Sequence, residues 1–179
     1  MKRDDTPHDL LGRAEALGLE ARADSSDHAV LRLWLRLLAS TTQIEAEIRR
    51  RLRERFGISL ARFDYLAQLH RHKDGLKMRT LSKYLMVTGG NVTGLTDELV
   101  GDGLVAREAD PIDRRATRVR LTAKGRRSFE AMAREHEAWI HELFGGLDAR
   151  AVAQLYDHLG ALRLHLARPD ADAATETSA

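Results

Sequence analysis

Apolar side chains recur at helical spacing from residue 28 to residue 56 and predict a first long helix. From Val30 to Leu38 they surround the helix almost completely, so we expect this half to be buried on several sides. From Ile44 to Phe56 they narrow to a stripe at four-residue spacing, flanked by arginines. Such a helix is about 43 Å long at 1.5 Å per residue, more than one small domain usually needs. It therefore joins two bodies or lies across a subunit interface.

Shorter helical patterns follow, separated by residues that cap a helix or turn the chain. Ser59 is a good N-cap for the next helix, and Asp74-Gly75 marks a turn. After that turn the pattern predicts a short helix, a brief turn and a second helix with Thr88 as its N-cap. The predicted helices cover about residues 60–70, 79–86, 89–101, 123–144 and 149–167, the last two capped by Thr122 and Asp148.

Between the third and fourth of these helices the apolar period changes to two. Residues 104–108 and 117–121 alternate apolar and polar side chains and predict two strands. The segment that joins them is rich in turn residues and has Arg114 and Arg115 at its tip. The predicted order of elements is helix, helix, turn, helix and then a two-stranded hairpin. This order predicts a mainly α-helical fold, a winged helix-turn-helix with long helices on both sides.

The uneven distribution of charge along the chain indicates a polyanion as the expected partner. The chain has 29 basic and 27 acidic residues, but residues 76–127 carry 11 basic and 6 acidic side chains, whereas residues 128–179 carry 4 and 9. The absence of cysteine excludes disulfides and thiolate chemistry. Arg32 and Arg36 interrupt the longest apolar run, and the N-terminus has no signal-peptide pattern, so we expect a cytoplasmic protein without a membrane span.

A winged helix-turn-helix predicts which side chains meet double-stranded DNA. The N-terminal residues of the second helix enter the major groove, where asparagine bonds an adenine edge and a threonine methyl contacts a thymine methyl. Arginines at the wing tip suit the narrow minor groove. The candidates are Thr88, Gly89, Gly90, Asn91, Thr93 and Thr96 for the major groove, Arg114 and Arg115 for the minor groove, and Lys77, Arg79, Lys83, Arg118 and Arg120 for phosphates.

At these residues the chain resembles the MarR family of bacterial transcriptional regulators, over about residues 30–166. The clearest match is Asp110 to Arg115 followed by Val119 to Gly125, which is similar to the family's wing and the start of its next helix. Leu81 to Leu85 and Asn91 to Thr93 are similar to its helix-turn-helix.

The resemblance implies a homodimer that binds a pseudopalindromic operator and is released by a small-molecule effector, most simply a repressor. It also implies that Asp113 orients the wing, that Arg114 and Arg115 reach DNA, and that Asn91 and Thr93 line the groove. Many members have arginine where this chain has Gly94, so we expect more specificity to come from the wing and from DNA shape. The implied organisation is a flexible arm (1–27), an N-terminal dimerisation helix (28–58), the DNA-binding domain (59–122), C-terminal dimerisation helices (123–168) and a disordered tail (169–179).

The segment from Met86 to Gly94 resembles the subgroup that controls catabolism of aromatic acids such as hydroxycinnamates. This resemblance implies an aromatic acid or its coenzyme A thioester as the effector. An effector is expected in an apolar concavity between the long helices and the DNA-binding lobe. The candidates for its lining are Trp34, Arg36, Phe63 and Tyr65, with simple packing as the alternative.

Other function classes fit the sequence less well. Gly89-Gly90 is not followed by the Gly-Lys-Ser/Thr of a nucleotide-binding loop. His70 and His72, like His136 and His141, lack the four-residue spacing that places two metal ligands on one helical face. No catalytic motif is evident, so we expect no enzyme, no metal and no cofactor. A metal-sensing regulator of the same fold and a small-molecule-modifying enzyme on a helical scaffold stay open as alternatives.

Overall fold

The computed structural model describes residues 29–85, 89–110 and 117–167. The predicted arm and tail lie outside these ranges. The mainly α-helical prediction is confirmed, and the predicted bounds agree with the observed ones within about one residue. The elements are α1 (Ala29–Phe56), α2 (Leu60–Arg71), β1 (Leu76–Lys77), α3 (Met78–Leu85), α4 (Gly89–Gly101), β2 (Val105–Ala109), β3 (Thr117–Leu121), α5 (Ala123–Leu143) and α6 (Ala149–Leu166).

Three helices begin at the capping residues that the sequence predicts. The Ser59 hydroxyl accepts a hydrogen bond from the backbone N–H of Arg62 at 3.3 Å. The Thr122 hydroxyl accepts one from the N–H of Gly125 at 2.9 Å, and the Asp148 carboxylate accepts one from the N–H of Ala151 at 2.7 Å. These side chains satisfy N–H groups that have no partner within their own helix.

The hairpin is part of a three-stranded antiparallel sheet in the order β1-β3-β2. Ala109 pairs with Thr117, so β2 and β3 remain paired up to both ends of the wing segment. The sequence did not predict β1, because two residues are too short to show a period of two. Through its pairing with β3, β1 joins the wing to the segment immediately before α3.

The hydrophobic core lies where the second half of α1 and α2 meet the helix-turn-helix and the sheet. A Cβ atom on Gly125 would lie 1.8 Å from the carbonyl oxygen of Leu104, so only glycine allows the first turn of α5 to approach the start of β2 this closely. The core residues include Ile48, Leu52, Phe63, Tyr65, Leu66, Leu69, Leu81, Val92, Leu99 and Val119.

The first half of α1 is exposed, which corrects the prediction that it is buried on several sides. Within the described ranges, Val30, Leu31, Leu33, Trp34 and Leu38 are between 46% and 80% exposed. The pattern correctly marks an apolar surface, but it stays exposed among the residues that the structure describes. The chain divides into two compact units, residues 1–136 and 137–179, and in the second unit α6 has no buried residue. None of the described helices is long and apolar enough to cross a membrane.

Candidate nucleic-acid interface

The helix-turn-helix consists of α3 and α4, which pack against each other through apolar side chains. Leu81 on α3 and Val92 and Leu99 on α4 are fully buried. Because these residues hold one side of α4 to the core, its other side faces outward. Small and polar residues occupy that side, namely Gly89, Gly90, Asn91, Thr93 and Gly94, all of them exposed.

Helix α4 carries acidic residues and no basic residue, so its outward face offers no cationic side chain to a nucleic acid. Of its two carboxylates, that of Asp97 forms an ion pair with Arg107 on β2 at 2.6 Å, which ties the helix to the sheet. In a complex with DNA, a helix of this composition would discriminate among bases through hydrogen bonds and methyl contacts of neutral groups. The cations that neutralise phosphates must therefore lie on other elements.

Thr96 lies on the buried side of α4, which corrects its prediction as a DNA contact. It is 0% exposed, and its hydroxyl donates to the carbonyl oxygen of Val92 at 2.6 Å. The hydroxyl of Tyr65 lies 2.6 Å from the hydroxyl oxygen of Thr96. Burial raises the pKa of Tyr65, and this hydrogen bond opposes the rise. Thr93 is exposed and donates to the carbonyl oxygen of Gly89 at 3.1 Å.

Four predicted DNA-binding or wing residues lie outside the described residues: Thr88 before α4, and Asp113, Arg114 and Arg115 in the wing. Among the predicted phosphate contacts, Arg79 and Lys83 on α3 are exposed. Arg120 on β3 is also exposed and forms a cross-strand ion pair with Glu108 at 2.6 Å.

Arg118 lies at the base of the wing, where its side chain is 25% exposed and paired with Asp110, and its phosphate contact stays a prediction. Its Nε and Nη2 donate to Oδ2 of Asp110 at 3.1 and 3.0 Å. Asp110 was not among the predicted site residues, and its side chain is fully buried. Its position before Pro111 at the end of a strand was a usable signal for a fixed hairpin end. Lys77 on β1 is only partly exposed, with its Nζ 3.6 Å from Oδ1 of Asp110.

The four residues predicted to line an effector site occupy different environments. Trp34 and Arg36 are exposed on the first half of α1. The Phe63 ring packs in the core against Phe129 and His136, with ring centroids 5.5 and 4.8 Å apart. Tyr65 is fully buried in the contact with Thr96 described above.

A cavity of about 360 Å³ in the first unit is lined by other residues than these four. Two arginines and a glutamate from α1 form one wall, and the N-terminal turns of α2 form another. Leu85, the last residue of α3, and Leu95 of α4 complete it, so the cavity borders both helices of the helix-turn-helix. The lining is Glu45, Arg49, Arg53, Ser59, Leu60, Ala61, Asp64, Leu85 and Leu95.

The lining of the cavity combines apolar side chains with both positively and negatively charged side chains. Arg49 forms an ion pair with Glu45 at 2.6 Å. Burial and the nearby charge of Glu45 raise the pKa of Asp64, and Arg71 opposes the rise. The α2 N-terminus adds the positive end of a helix dipole. Neither the cavity nor the rest of the described ranges contains a cluster of three or more histidine, aspartate or glutamate side chains arranged to hold a metal ion.

Comparisons with known proteins identify relatives across most of the chain. A family model described as MarR family matches residues 56–116. The transcriptional activatory protein BadR of Rhodopseudomonas palustris is 30% identical over 160 residues, which cover 88% of this chain and 91% of BadR. An uncharacterized HTH-type transcriptional regulator, YdgJ of Bacillus subtilis, is 33% identical over 107 residues, and the chain spans 65% of its length.

Solved structures share the fold. A MarR family transcriptional regulator from Silicibacter pomeroyi superimposes with a TM-score of 0.67 at 30% identity, over 81% of this chain and 99% of that one. A mutant MarR from E. coli complexed with operator DNA gives a TM-score of 0.66 at 24% identity, over 78% of this chain and 99% of that one. At this sequence identity, the similarity to the E. coli protein is a similarity of fold alone.

Proposed function

This chain belongs to the MarR family of transcriptional regulators, and from that membership we propose that it binds a pseudopalindromic operator as a homodimer and responds to a small aromatic acid or its coenzyme A thioester. Its relatives and structural neighbours are regulators and not enzymes, so the enzyme alternative falls away.

The observation that carries the proposal is the outward face of α4, which is small, polar and uncharged around Asn91 and Thr93. Asn91 suits an adenine edge, and the exposed Arg79 and Lys83 of α3 suit the flanking phosphates. Arg114 and Arg115 of the wing supply the minor-groove contact. A mutant MarR from E. coli with the same fold is complexed with operator DNA, which supports DNA as the partner.

Two exposed apolar faces support the homodimer. One is the first half of α1 described above. The other is a stripe on α6 whose members recur at alternating intervals of three and four residues, the spacing of helices that pack against a partner. Surfaces of this kind mark interfaces with other chains. The stripe consists of Val152, Leu155, Leu159, Leu162 and Leu166, each at least 38% exposed.

For the effector we propose the cavity of about 360 Å³, a size within the range of small-ligand sites. Arg49 and Arg53 suit a carboxylate, and Leu60, Leu85 and Leu95 suit an aryl ring. A ligand there would press on α3 and α4 together, which gives it a direct route to the DNA-binding face. Trp34 and Arg36 stay candidates for a second contact on α1.

The DNA-binding proposal is tested by titrating promoter fragments at several salt concentrations. Arg114→Ala with Arg115→Ala should lower the salt slope of the affinity by about one for each phosphate-neutralising arginine lost. Asn91→Ala should relax base preference at one position of each half-site, as read by selection from a random library. An unchanged slope would contradict the wing contact, and an unchanged selected sequence would contradict the Asn91 contact.

The effector proposal is tested by a thermal-shift screen of benzoate, hydroxycinnamates and their coenzyme A thioesters. A ligand at a hundred times its Kd should stabilise the protein by about 2.7 kcal/mol. Arg53→Gln should abolish that shift while leaving operator affinity unchanged. A shift that persists in Arg53→Gln would place the ligand elsewhere, and a shift with zinc alone would favour the metal-sensing alternative.

The direction of regulation is a separate part of the proposal. We propose repression, relieved when the effector shifts the dimer toward a form whose half-site spacing no longer matches the operator. BadR is named an activatory protein, which supports activation as the second candidate. A promoter-reporter assay in cells with and without the regulator decides between them.

A further inference from the structure

Asp110 is a buried acid at the base of the wing. It follows β2 directly, is 1% exposed, and precedes the segment that carries Arg114 and Arg115. A carboxylate in such a place is costly unless charged and hydrogen-bonding partners compensate it. The groups that compensate the Asp110 carboxylate therefore indicate its structural role.

The partners of Asp110 come from the other two strands of the sheet. Two nitrogens of Arg118 on β3 donate to Oδ2, and the ammonium of Lys77 on β1 lies 3.6 Å from Oδ1. The third nitrogen of Arg118, Nη1, donates to the backbone carbonyl oxygens of Asp74 and Gly75 at 3.1 and 3.2 Å. One guanidinium thus joins the end of β2 to the turn before β1 and α3.

The same turn is held close to β3 by a glycine. Gly75 has a positive φ of 76°, and a Cβ atom there would lie 2.5 Å from the carbonyl oxygen of Val119. The turn can approach β3 this closely only because residue 75 has no side chain. The approach brings the carbonyl oxygens within reach of Arg118. The turn, β3 and the end of β2 therefore form one connected unit.

We propose that Asp110 is a positioning residue for DNA binding, which acts through Arg118 to fix the wing relative to α3 and α4 without itself contacting DNA. All three nitrogens of Arg118 are engaged within the protein, which favours this role over a phosphate contact. Because wing and recognition helix must meet adjacent grooves together, a loose hinge between them costs affinity. The inference rests on the proposed wing contact with DNA.

The test compares Asp110→Asn and Arg118→Lys with a matched control, Glu108→Gln, in the full-length protein. Glu108→Gln removes an ion pair in the same hairpin, with Arg120, that lies on the surface. Asparagine removes the buried charge, and lysine keeps a charge but cannot bond a carboxylate and two carbonyls at once. We expect both test variants to bind the operator at least about tenfold more weakly with an unchanged salt slope, and the control to bind as the wild type does.

Hydrogen–deuterium exchange of the DNA-free variants supplies a readout that does not depend on DNA. Peptides that contain β1 and β3 should exchange faster in Asp110→Asn and Arg118→Lys, whereas α4 and α5 should keep wild-type protection. If Asp110→Asn does not fold, Arg118→Lys decides.

Wild-type affinity in the two test variants, or a salt slope reduced as far as in the wing-tip double variant, would overturn the inference. An unchanged slope in the wing-tip variant would instead overturn the proposed wing contact, so the two failures are distinguishable.

Discussion

At the scale of single residues, Thr93 and Thr96 mark the exposed side and the buried side of α4. They are three positions apart, yet Thr93 is exposed and Thr96 is fully buried against Tyr65. Three residues advance a helix by nearly one turn, so sequence spacing alone places both on similar sides. The buried Tyr65 beneath α4 determines which of the two threonines faces the protein interior.

We predict opposite effects for Thr96→Val and Thr93→Val. Thr96→Val removes the partner of a buried tyrosine hydroxyl and should lower the free energy of unfolding by about 1–2 kcal/mol while leaving base preference unchanged. Thr93→Val should leave stability nearly unchanged and alter the selected operator sequence. Urea unfolding and library selection on both variants measure this, and a changed base preference in Thr96→Val would contradict the interior assignment.

Side-chain direction is what the sequence left unresolved at this scale. The alternation in β3 places Arg118 and Arg120 on the same face, and both were predicted to meet phosphates. In the structure Arg118 forms an ion pair with the buried Asp110, whereas Arg120 pairs with Glu108 on the surface. The difference arises because β1, too short to be predicted, brings the Asp74-Gly75 turn beside Arg118.

At the scale of elements, two glycines on neighbouring helices have opposite roles. Gly94 lies on the exposed side of α4, and a Cβ atom there would meet no atom within 4 Å. Gly125 in α5 lies against Leu104 with no room for a Cβ atom. Gly94 therefore has no packing role within the described chain, and its small size is available for close approach to DNA.

Gly94→Ala should raise the free energy of unfolding by about 1 kcal/mol, because alanine favours a helix interior. The same change should weaken operator binding if α4 lies in the groove with this face inward. Gly125→Ala is the contrasting variant and should destabilise the fold by about 3 kcal/mol through overpacking. Calorimetry and operator titration measure both, and unchanged operator affinity in Gly94→Ala would argue against this face.

An aromatic cluster between α2 and α5 gives the fold a pH dependence. Phe63 packs against Phe129 and His136, and His70 packs against the other side of the cluster, 4.8 Å from Phe129. Burial lowers the pKa of His136 below its ordinary value of 6.5. The folded protein therefore accepts a proton on this ring less readily than the unfolded chain does.

Below pH 6.5 the unfolded chain binds more protons at residue 136, so the free energy of unfolding should fall as the pH decreases toward the lowered pKa. Above pH 6.5 this contribution should be constant. His136→Gln should remove this part of the pH dependence, and His158→Gln on the exposed surface of α6 should not. Urea unfolding between pH 5 and pH 8 measures it, and identical pH profiles for wild type and His136→Gln would contradict the prediction.

Most elements could be predicted because each carries its own local signal. Helical periodicity and the caps Ser59, Thr122 and Asp148 fixed the helix starts, and alternation fixed the hairpin. The exposed half of α1 could not be predicted as exposed, since the pattern marks an apolar surface without indicating which chain covers it. The cavity was missed because its lining comes from four helices with no shared motif.

At the scale of the whole molecule, the exposed stripe on α6 predicts a dependence of DNA binding on dimerisation. Leu155→Asp with Leu162→Asp places charges within the stripe and should convert the proposed dimer to monomers, with loss of operator affinity. Leu164→Asp is the matched control, because Leu164 lies on the opposite side of α6 and is 73% exposed. Sedimentation and operator titration measure both, and a stable dimer in the stripe variant would contradict the proposed interface.

The acidic recognition helix α4 has a practical consequence for engineering. In the proposed complex, attraction to the polyanion comes from α3 and the wing, whereas the exposed Asn91 and Thr93 of α4 contribute neutral side chains. The identity of the target promoter and the ionic-strength response are therefore encoded by different segments and can be changed separately. Substitutions at the exposed positions of α4 would retarget a biosensor built on this scaffold without retuning the salt conditions in which it operates.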